Sequence, residues 1–180
     1  MGASLILGGA RSGKSRYAQR MAEAGAAAAG RRPVFIATGE AGDAEMAERI
    51  ALHRAERGDR WTNLEAALDL AGALGSLAAE DLAVVDCLTL WLSNSMLAED
   101  ENHRTRLDAL PAAVAACPAR LWLVSNEVGW GVVPDNALAR RFRDEAGRLH
   151  QRVADSAEEV VLVVLVSVFH AQTAVLAAPQ

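Results

Sequence analysis

Residues 8–15 read GGARSGKS, a glycine followed after four residues by glycine, lysine and serine. This is the pattern of a phosphate-binding loop, in which glycines let backbone N–H groups approach phosphate oxygens closely. An apolar run precedes the segment and a helical pattern follows it, so a chance glycine-rich turn is the weaker interpretation. The candidate nucleotide-binding residues here are Gly8, Gly9, Ala10, Arg11, Ser12, Gly13, Lys14 and Ser15. We expect Lys14 to reach the β- and γ-phosphates of ATP or GTP, and Ser15 to coordinate Mg²⁺.

An acidic residue farther along the chain fits the same chemistry. Residues 83–86 read AVVD, a buried-strand pattern that ends in a carboxylate, and phosphoryl-transfer enzymes of this kind hold their metal with such an acid. Asp86 is therefore a candidate Mg²⁺ ligand and nucleotide contact. The alternative is that Asp86 caps the helix beginning near Thr89, and the two roles are compatible.

A histidine lies among cationic side chains in RIALHRAERGDRW, residues 49–61. A solvated helix face is the ordinary explanation of such a segment. However, nearby cations favour neutral imidazole, which is a nucleophile, and arginines at this spacing could bind a triphosphate. Spacing alone does not decide whether His53 is catalytic.

The elements that must position these residues alternate between short apolar runs and longer helical stretches. Strands are predicted at Ser4–Leu7, Val34–Ala37, Ala83–Asp86, Leu121–Ser125 and Val160–Val166. Helices are predicted at Lys14–Ala29, Ala44–Arg57, Leu64–Ala79, Leu90–Leu97, Arg104–Ala115 and Asn136–Asp155. This alternation predicts an α/β fold of the P-loop NTPase type, RecA-like, with a mostly parallel sheet flanked by helices on both faces. We expect one domain spanning residues 1–180.

Parallel strand ends line the ligand crevice of such folds, so Asn126 and Glu127, after the fourth strand, should lie near the site. Trp91, Trp122 and Trp130 are expected in the core or at an interface rather than as stacking surfaces for the ring of a ligand.

Composition excludes several classes of protein. The net charge of −5 gives no basic footprint for nucleic acid. Two cysteines without metal-ligand spacing favour a reducing compartment. No segment approaches the roughly 20 apolar residues of a membrane span, and no signal-peptide pattern is present, so we expect a soluble, cytoplasmic protein.

The motifs together resemble a known family. GGARSGKS, FIAT at 35–38, DAEMAERIALHRAER at 43–57, VDCLTLWLSN at 85–94 and SNEVGWGVVPDNALARRFRDEAGRLHQRVA at 125–154 are similar to bifunctional adenosylcobinamide kinase / adenosylcobinamide-phosphate guanylyltransferase of cobalamin biosynthesis. The likeness runs from about residue 4 to about residue 164, and the histidine and SNEVG segments are more specific than the phosphate loop.

The resemblance implies two reactions. A nucleoside triphosphate phosphorylates the aminopropanol hydroxyl of adenosylcobinamide, and GTP then guanylylates a histidine with loss of pyrophosphate. The GMP passes to the phosphorylated substrate and gives adenosylcobinamide-GDP. The resemblance also implies a homo-oligomer, a trimer.

By motif, the guanylylated histidine falls on His53. The family's nucleotide contacts fall on the phosphate loop and on Ala37, Thr38, Gly39, Arg54, Ala55, Glu56, Arg57, Glu65 and Asp86. Glu65 could orient guanosine by accepting from a ribose hydroxyl or a guanine N–H, or it could be an ordinary acid in the first turn of a helix.

The chain departs from the family pattern at its C-terminal end. The pattern has a short glycine-containing ending, whereas this chain continues as LVSVFHAQTAVLAAPQ from Leu165.

Two other functions compete with the bifunctional enzyme: a simple P-loop kinase of a small metabolite, in which His53 is structural, and a nucleotide-dependent switch module. Only the bifunctional enzyme needs a nucleophile at His53.

Overall fold

The computed structural model describes residues 2–40, 48, 51, 55, 58–98, 100–165 and, for the backbone, 167–172. The strands are β1 Ala3–Gly8, β2 Val34–Ala37, β3 Thr62–Glu65, β4 Leu82–Asp86, β5 Arg120–Asn126, β6 Glu159–Val164 and β7 Ser167–Gln172. The helices are α1 Lys14–Ala28, α2 Leu70–Gly75, α3 Leu88–Leu97, α4 His103–Ala116 and α5 Ala137–Asp155, with a 3₁₀ turn at Gly58–Arg60.

In the described part of the chain, the strands form one seven-stranded sheet in the order β3-β2-β4-β5-β1-β6-β7. All neighbours are parallel except β6 and β7. β1 lies between β5 and β6, so Gly8 at its end pairs with Asn126 on one side and Val163 on the other. The predicted mostly parallel α/β sheet is therefore confirmed.

Helices cover both faces of the sheet, as the sequence predicts. Alternate residues of the central strands point to opposite faces because the side-chain period of a strand is two. Leu5 packs in the cluster that includes α2, α3, α4 and α5, whereas its neighbour Ile6 packs in the cluster that includes Ala18 and Ala22 of α1. Burial on both faces explains the nearly continuous apolar strands.

The predicted helix at Leu64–Ala79 is wrong in its first part. Residues Thr62–Glu65 form edge strand β3, which pairs with β2, and only Leu70–Gly75 are helical. Asp69 caps this short helix by accepting from the Gly72 backbone N–H at 2.9 Å. Backbone pairing with β2 outweighs the helical spacing of the apolar residues, since local propensity is easily overridden by tertiary contacts.

The last predicted strand is also shorter than expected. β6 ends at Val164, Leu165 takes a positive φ of 48°, and β7 returns antiparallel with Ser167 opposite Val164. The run of apolar residues gives no periodic signal for this reversal. The segment from Leu165 onward therefore begins with a turn and an antiparallel edge strand.

The predicted helix at Ala44–Arg57 falls almost entirely outside the described residues. Its three described positions, Glu48, Ala51 and Ala55, are helical and exposed. Within the part of the chain that the structure covers, no helix combines the length and apolar character needed to cross a membrane.

The core of the helix-rich face gives a first test. Leu92 is fully buried on α3, whereas Leu97 at the end of the same helix is 64% exposed. We expect Leu92→Ala to lower the free energy of unfolding by about 2–5 kcal/mol, because it leaves a cavity. Urea denaturation measures this change, and Leu97→Ala is the matched control with an expected effect of about 0.5 kcal/mol or less. Equal effects of the two substitutions would contradict this packing.

Candidate functional site

The phosphate loop leaves the sheet at Gly8, where a side chain has no room. A Cβ on Gly8 would lie 2.6 Å from both Ser12 Oγ and the carbonyl oxygen of Val163 on β6. A Cβ on the neighbouring Gly9, by contrast, would meet no heavy atom of the described residues within 4 Å. The tight passage between strand and loop therefore explains the first glycine of the motif.

The loop then turns into α1 through left-handed backbone at two residues. Arg11 has φ 56° and Gly13 has φ 95°, and Gly13 is the N-cap residue of α1. Among the described residues, no side chain caps this helix by a hydrogen bond, and its first turn contains no acid. The backbone donors of the helix N-terminus are therefore open to an anion, as phosphate binding requires.

Two buried polar side chains lie within the loop. Ser12 Oγ has no hydrogen-bond partner among the residues that the structure describes. Lys14 is buried and its Nζ donates to the carbonyl oxygen of Gly9 at 3.1 Å. Burial lowers the pKa of Lys14, while the nearby negative charge of Asp86 raises it in part. The loop thus holds a hydroxyl and an ammonium group around a space lined by backbone donors.

A buried threonine joins the ends of β2 and β4 at this edge. Thr38 Oγ1 donates to the carbonyl oxygen of Cys87 at 2.8 Å and accepts from the Cys87 backbone N–H at 2.7 Å. The Thr38 carbonyl oxygen accepts from Asn94 Nδ2 at 2.7 Å. The hydroxyl of this predicted nucleotide contact is therefore used to position the strand end that carries Asp86.

Asn126 and Glu127 lie beside the loop, as the strand-end argument predicts. Asn126 Nδ2 donates to Thr89 Oγ1 at 2.8 Å, and the Glu127 backbone N–H donates to the carbonyl oxygen of Gly8 at 3.0 Å. Sequence reasoning did not assign roles to Thr89 and Asn94, the polar residues of this network. The only signal for them is their place in VDCLTLWLSN, directly after the strand that ends at Asp86.

The remaining predicted nucleotide contacts are spread along the same edge. Ala37 pairs with Asp86 across β2 and β4, and with Glu65 across β2 and β3. Glu65 is therefore the last residue of an edge strand, not an acid in the first turn of a helix. Gly39 follows β2 and is partly buried.

The histidine segment contributes little to the described site. Of its candidates, only Ala55 is described, as an exposed helical residue. The others, His53, Arg54, Glu56 and Arg57, lie outside the described residues.

The tryptophans divide into two groups. Trp91 and Trp122 are buried in the core, as predicted, whereas Trp130 is 76% exposed. Trp130, in the loop that follows β5, is therefore outside the core of this chain.

The arrangement can bind the phosphates of a nucleotide, because it combines an open helix N-terminus with buried Lys14 and with Asp86 at the end of β4, on the same edge of the sheet. Fold and loop together define a P-loop nucleotide-binding protein.

The comparisons with known proteins give the particular family. A model of the family "Cobinamide kinase / cobinamide phosphate guanyltransferase" matches residues 4–167. The chain belongs to this family.

Two relatives support the assignment. The "Bifunctional adenosylcobalamin biosynthesis protein CobP" of Pseudomonas aeruginosa is 51% identical, with coverage of 89% of this chain and 91% of that protein. The "Bifunctional adenosylcobalamin biosynthesis protein CobU" of Salmonella typhimurium is 41% identical over 89% of this chain and 94% of that protein.

Among solved structures, a KaiC-like protein from Pyrococcus horikoshii has a TM-score of 0.50 at 16% identity, over 89% of this chain and 70% of that chain. This similarity supports the fold alone.

The crowding at Gly8 predicts a position-specific effect. We expect Gly8→Ala to lower the free energy of unfolding by about 1–3 kcal/mol, because the new methyl group overlaps a backbone oxygen of β6. Thermal unfolding without nucleotide measures the change, and Gly9→Ala serves as the control, with an expected change of about 0.5 kcal/mol or less. The geometry is wrong if Gly8→Ala is as stable as the control.

A buried histidine behind the site predicts a pH dependence. Ser125 Oγ and His150 Nε2 share a hydrogen bond of 2.7 Å. Burial lowers the pKa of His150, although the charge of Glu127 raises it in part. The folded state therefore binds the proton more weakly than the unfolded chain, so stability is lost as pH falls below the ordinary histidine pKa of about 6.5.

Urea denaturation between pH 7.5 and pH 5 should show this loss, with a slope of up to about 1.4 kcal/mol per pH unit from one proton. We expect His150→Gln to be less stable at pH 7.5 and to have a smaller slope in this interval. An unchanged slope in the variant would assign the pH dependence to other groups.

Proposed function

We propose that the chain catalyses both reactions that name its family. It phosphorylates the hydroxyl of adenosylcobinamide with ATP or GTP, and then transfers GMP from GTP to the resulting phosphate. The observation that carries this proposal is the open phosphate loop with buried Lys14, on a chain whose residues 4–167 match the family. Those matched residues include both the loop and His53.

The first reaction needs positioning and charge neutralisation more than covalent chemistry. The substrate hydroxyl oxygen attacks the γ-phosphorus and releases its proton to solvent, the bond to the β–γ bridging oxygen breaks, and the nucleoside diphosphate leaves. Lys14, Ser12 and the N–H groups at the start of α1 bind the phosphate oxygens, and Lys14 offsets the charge that develops on the leaving group.

The donors at this edge suit a magnesium ion. In the described part of the chain no group of three or more histidine, cysteine or acidic residues could hold a metal alone. Mg²⁺ does not need such a group, since it commonly binds one or two protein oxygens together with phosphates and water. The Ser15 hydroxyl in the first turn of α1 and the Asp86 carboxylate at the end of β4 are the residues that would hold it. The ion would supply charge neutralisation on the phosphate oxygens.

The second reaction runs through His53. An imidazole nitrogen attacks the α-phosphorus of GTP, a P–N bond forms, and pyrophosphate leaves. A phosphate oxygen of cobinamide phosphate then attacks the same phosphorus, the P–N bond breaks, and cobinamide-GDP forms. The covalent intermediate divides one difficult transfer into two displacements.

The other described histidine side chains support the choice of His53. His103 bonds to Ser95 through one ring nitrogen and to Glu145 through the other. His150 is buried and bonded to Ser125. Neither ring is available as a nucleophile, because both nitrogens of His103 are bonded between α3 and α5, and His150 is buried against β5.

The nucleotide contacts extend beyond the loop in this proposal. Residues 37–39 contact the nucleotide at the end of β2, where buried Thr38 fixes the backbone through Cys87, and Glu65 orients the guanosine from the end of β3. Arg54 and Arg57 bind the triphosphate, with Ala55 and Glu56 between them on the same segment. Asp86 and the loop complete the site.

The alternative function is a P-loop kinase of a small metabolite without a covalent intermediate. The family match favours the bifunctional enzyme, because the alternative gives no reason for the histidine segment. The two functions differ in one observable, the formation of a protein–GMP adduct.

Labelling with GTP radioactive at the α-phosphate tests the adduct. We expect wild type to retain an acid-labile, base-stable label, since a phosphoramidate has this stability, and His53→Asn to retain none. His170→Asn is the control histidine substitution and should label like wild type. Kinase activity of His53→Asn on adenosylcobinamide should persist.

If wild type phosphorylates adenosylcobinamide but takes up no label, the simple kinase is the correct function. If His53→Asn and wild type label equally, the nucleophile is another residue.

Assembly as a homotrimer and a cytoplasmic location stay predictions from the resemblance and the composition. Light scattering of the purified protein measures the assembly directly.

A further inference from the structure

The loop between β5 and α5, together with the first turn of α5, exposes several large apolar side chains. Trp130 is 76% and Val132 is 95% exposed, and Val133 and Leu138 are also exposed. We call these four residues the β5–α5 loop surface. Single exposed apolar residues are common, but a group of them within one short segment is typical of a binding surface.

The ends of this loop are fixed by hydrogen bonds. Arg140 Nη1 donates to the carbonyl oxygens of Pro134 at 3.0 Å and Asp135 at 2.7 Å. At the other end, the Glu127 carboxylate accepts from the Gly129 backbone N–H. Asn136 caps α5 by accepting from the Ala139 backbone N–H at 2.7 Å. The loop therefore presents its apolar side chains from an ordered base.

Both ends of the loop lie at the edge of the sheet that carries the phosphate loop. The Glu127 backbone N–H bonds to the Gly8 carbonyl oxygen at 3.0 Å, so the loop starts next to the first glycine. α5 begins at the same edge, because it runs back along the sheet to the start of β6. On the other side of β1, Leu165 after β6 is 83% exposed. Exposed apolar residues thus follow both strands that flank β1.

We propose that the β5–α5 loop surface binds the corrin ring of the substrate, with Trp130 as its central contact. This inference rests on the proposed function and adds the site of its second substrate. The phosphate loop provides polar donors for phosphates but no apolar surface for a macrocycle. A corrin ring has broad apolar faces, and its hydroxyl-bearing arm must reach the γ-phosphate. The ring therefore needs an apolar surface close to the loop, which these residues provide.

A flat indole suits this ligand. Tryptophan buries a large area against a ring and loses little conformational freedom when it does so. A second copy of the chain is the other occupant that an apolar surface could have. The position next to Gly8 favours the substrate, since the substrate must bind at this edge.

Steady-state kinetics of adenosylcobinamide phosphorylation at saturating nucleotide test the proposal. We expect Trp130→Ala to raise KM for adenosylcobinamide about tenfold or more, the size typical of a central contact residue. Trp130→Phe should restore much of the affinity, because it keeps a flat ring. Leu97→Ala is the control, since it also removes an exposed apolar side chain but lies at the end of α3, outside this surface.

Four further measurements separate the explanations. Equilibrium dialysis of adenosylcobinamide without nucleotide should show the same loss of affinity as the KM. Labelling by GTP should be unchanged in Trp130→Ala, because guanylylation of His53 does not use the corrinoid. The mass by sedimentation and the thermal midpoint should also equal those of wild type.

An unchanged KM in an active Trp130→Ala enzyme would overturn the proposal and leave the proposed function intact. A change in assembly mass on Trp130→Ala would overturn it in favour of an interface between copies. If wild type itself does not phosphorylate adenosylcobinamide, the proposed function fails, and this inference fails with it.

Discussion

The structure depends on the pairing of β1 between β5 and β6. This strand is buried on both faces, and its end is confined so closely that Gly8 has no space for a Cβ beside Val163. Parallel pairing on each side brings Asn126 and Val163 level with Gly8. The phosphate loop and the β5–α5 loop therefore begin at the same edge of the sheet, and β6 ends there. The proposed chemistry requires that edge, because both substrates must meet there.

The site combines polar groups that are available to a ligand with polar groups that are already hydrogen-bonded within the protein. Within the described chain, no side chain caps the start of α1 and Ser12 Oγ has no hydrogen-bond partner. By contrast, Thr38 links the ends of β2 and β4, and Asn94 and Asn126 form hydrogen bonds between strand ends and α3. Buried polar groups are normally hydrogen-bonded, so an exception at a loop of this sequence indicates a place for ligand oxygens. The hydrogen-bonded groups fix the positions of the strand ends, and the groups without a partner can bind the nucleotide.

Charge is arranged in the same way. The chain has a net charge of −5, and Lys14 lies close enough to Asp86 for its pKa to be raised in part. Within the described phosphate loop, the attraction for phosphate comes from this buried ammonium group and from the helix N-terminus. Such an arrangement binds a small anion without the extended basic surface that nucleic acid requires. In the proposal, the exposed apolar side chains of the β5–α5 loop surface bind a different part of the substrate, so that the two surfaces together suit a ligand with a charged arm and an apolar ring.

The sequence by itself determined the phosphate loop, the parallel α/β sheet and the family, because GGARSGKS and the alternation of strands and helices are local signals. It also placed Asn126 and Glu127 at the site, since strand ends share one edge. Only the tertiary structure decided that Thr62–Glu65 pair as a strand, that β7 turns back on β6, and that Thr38 is a buried link to Cys87. It likewise decided that Trp130 is exposed. These features depend on contacts between residues far apart in the chain, so they cannot be predicted from the spacing of neighbouring residues. The role of His53 stays a prediction from the sequence.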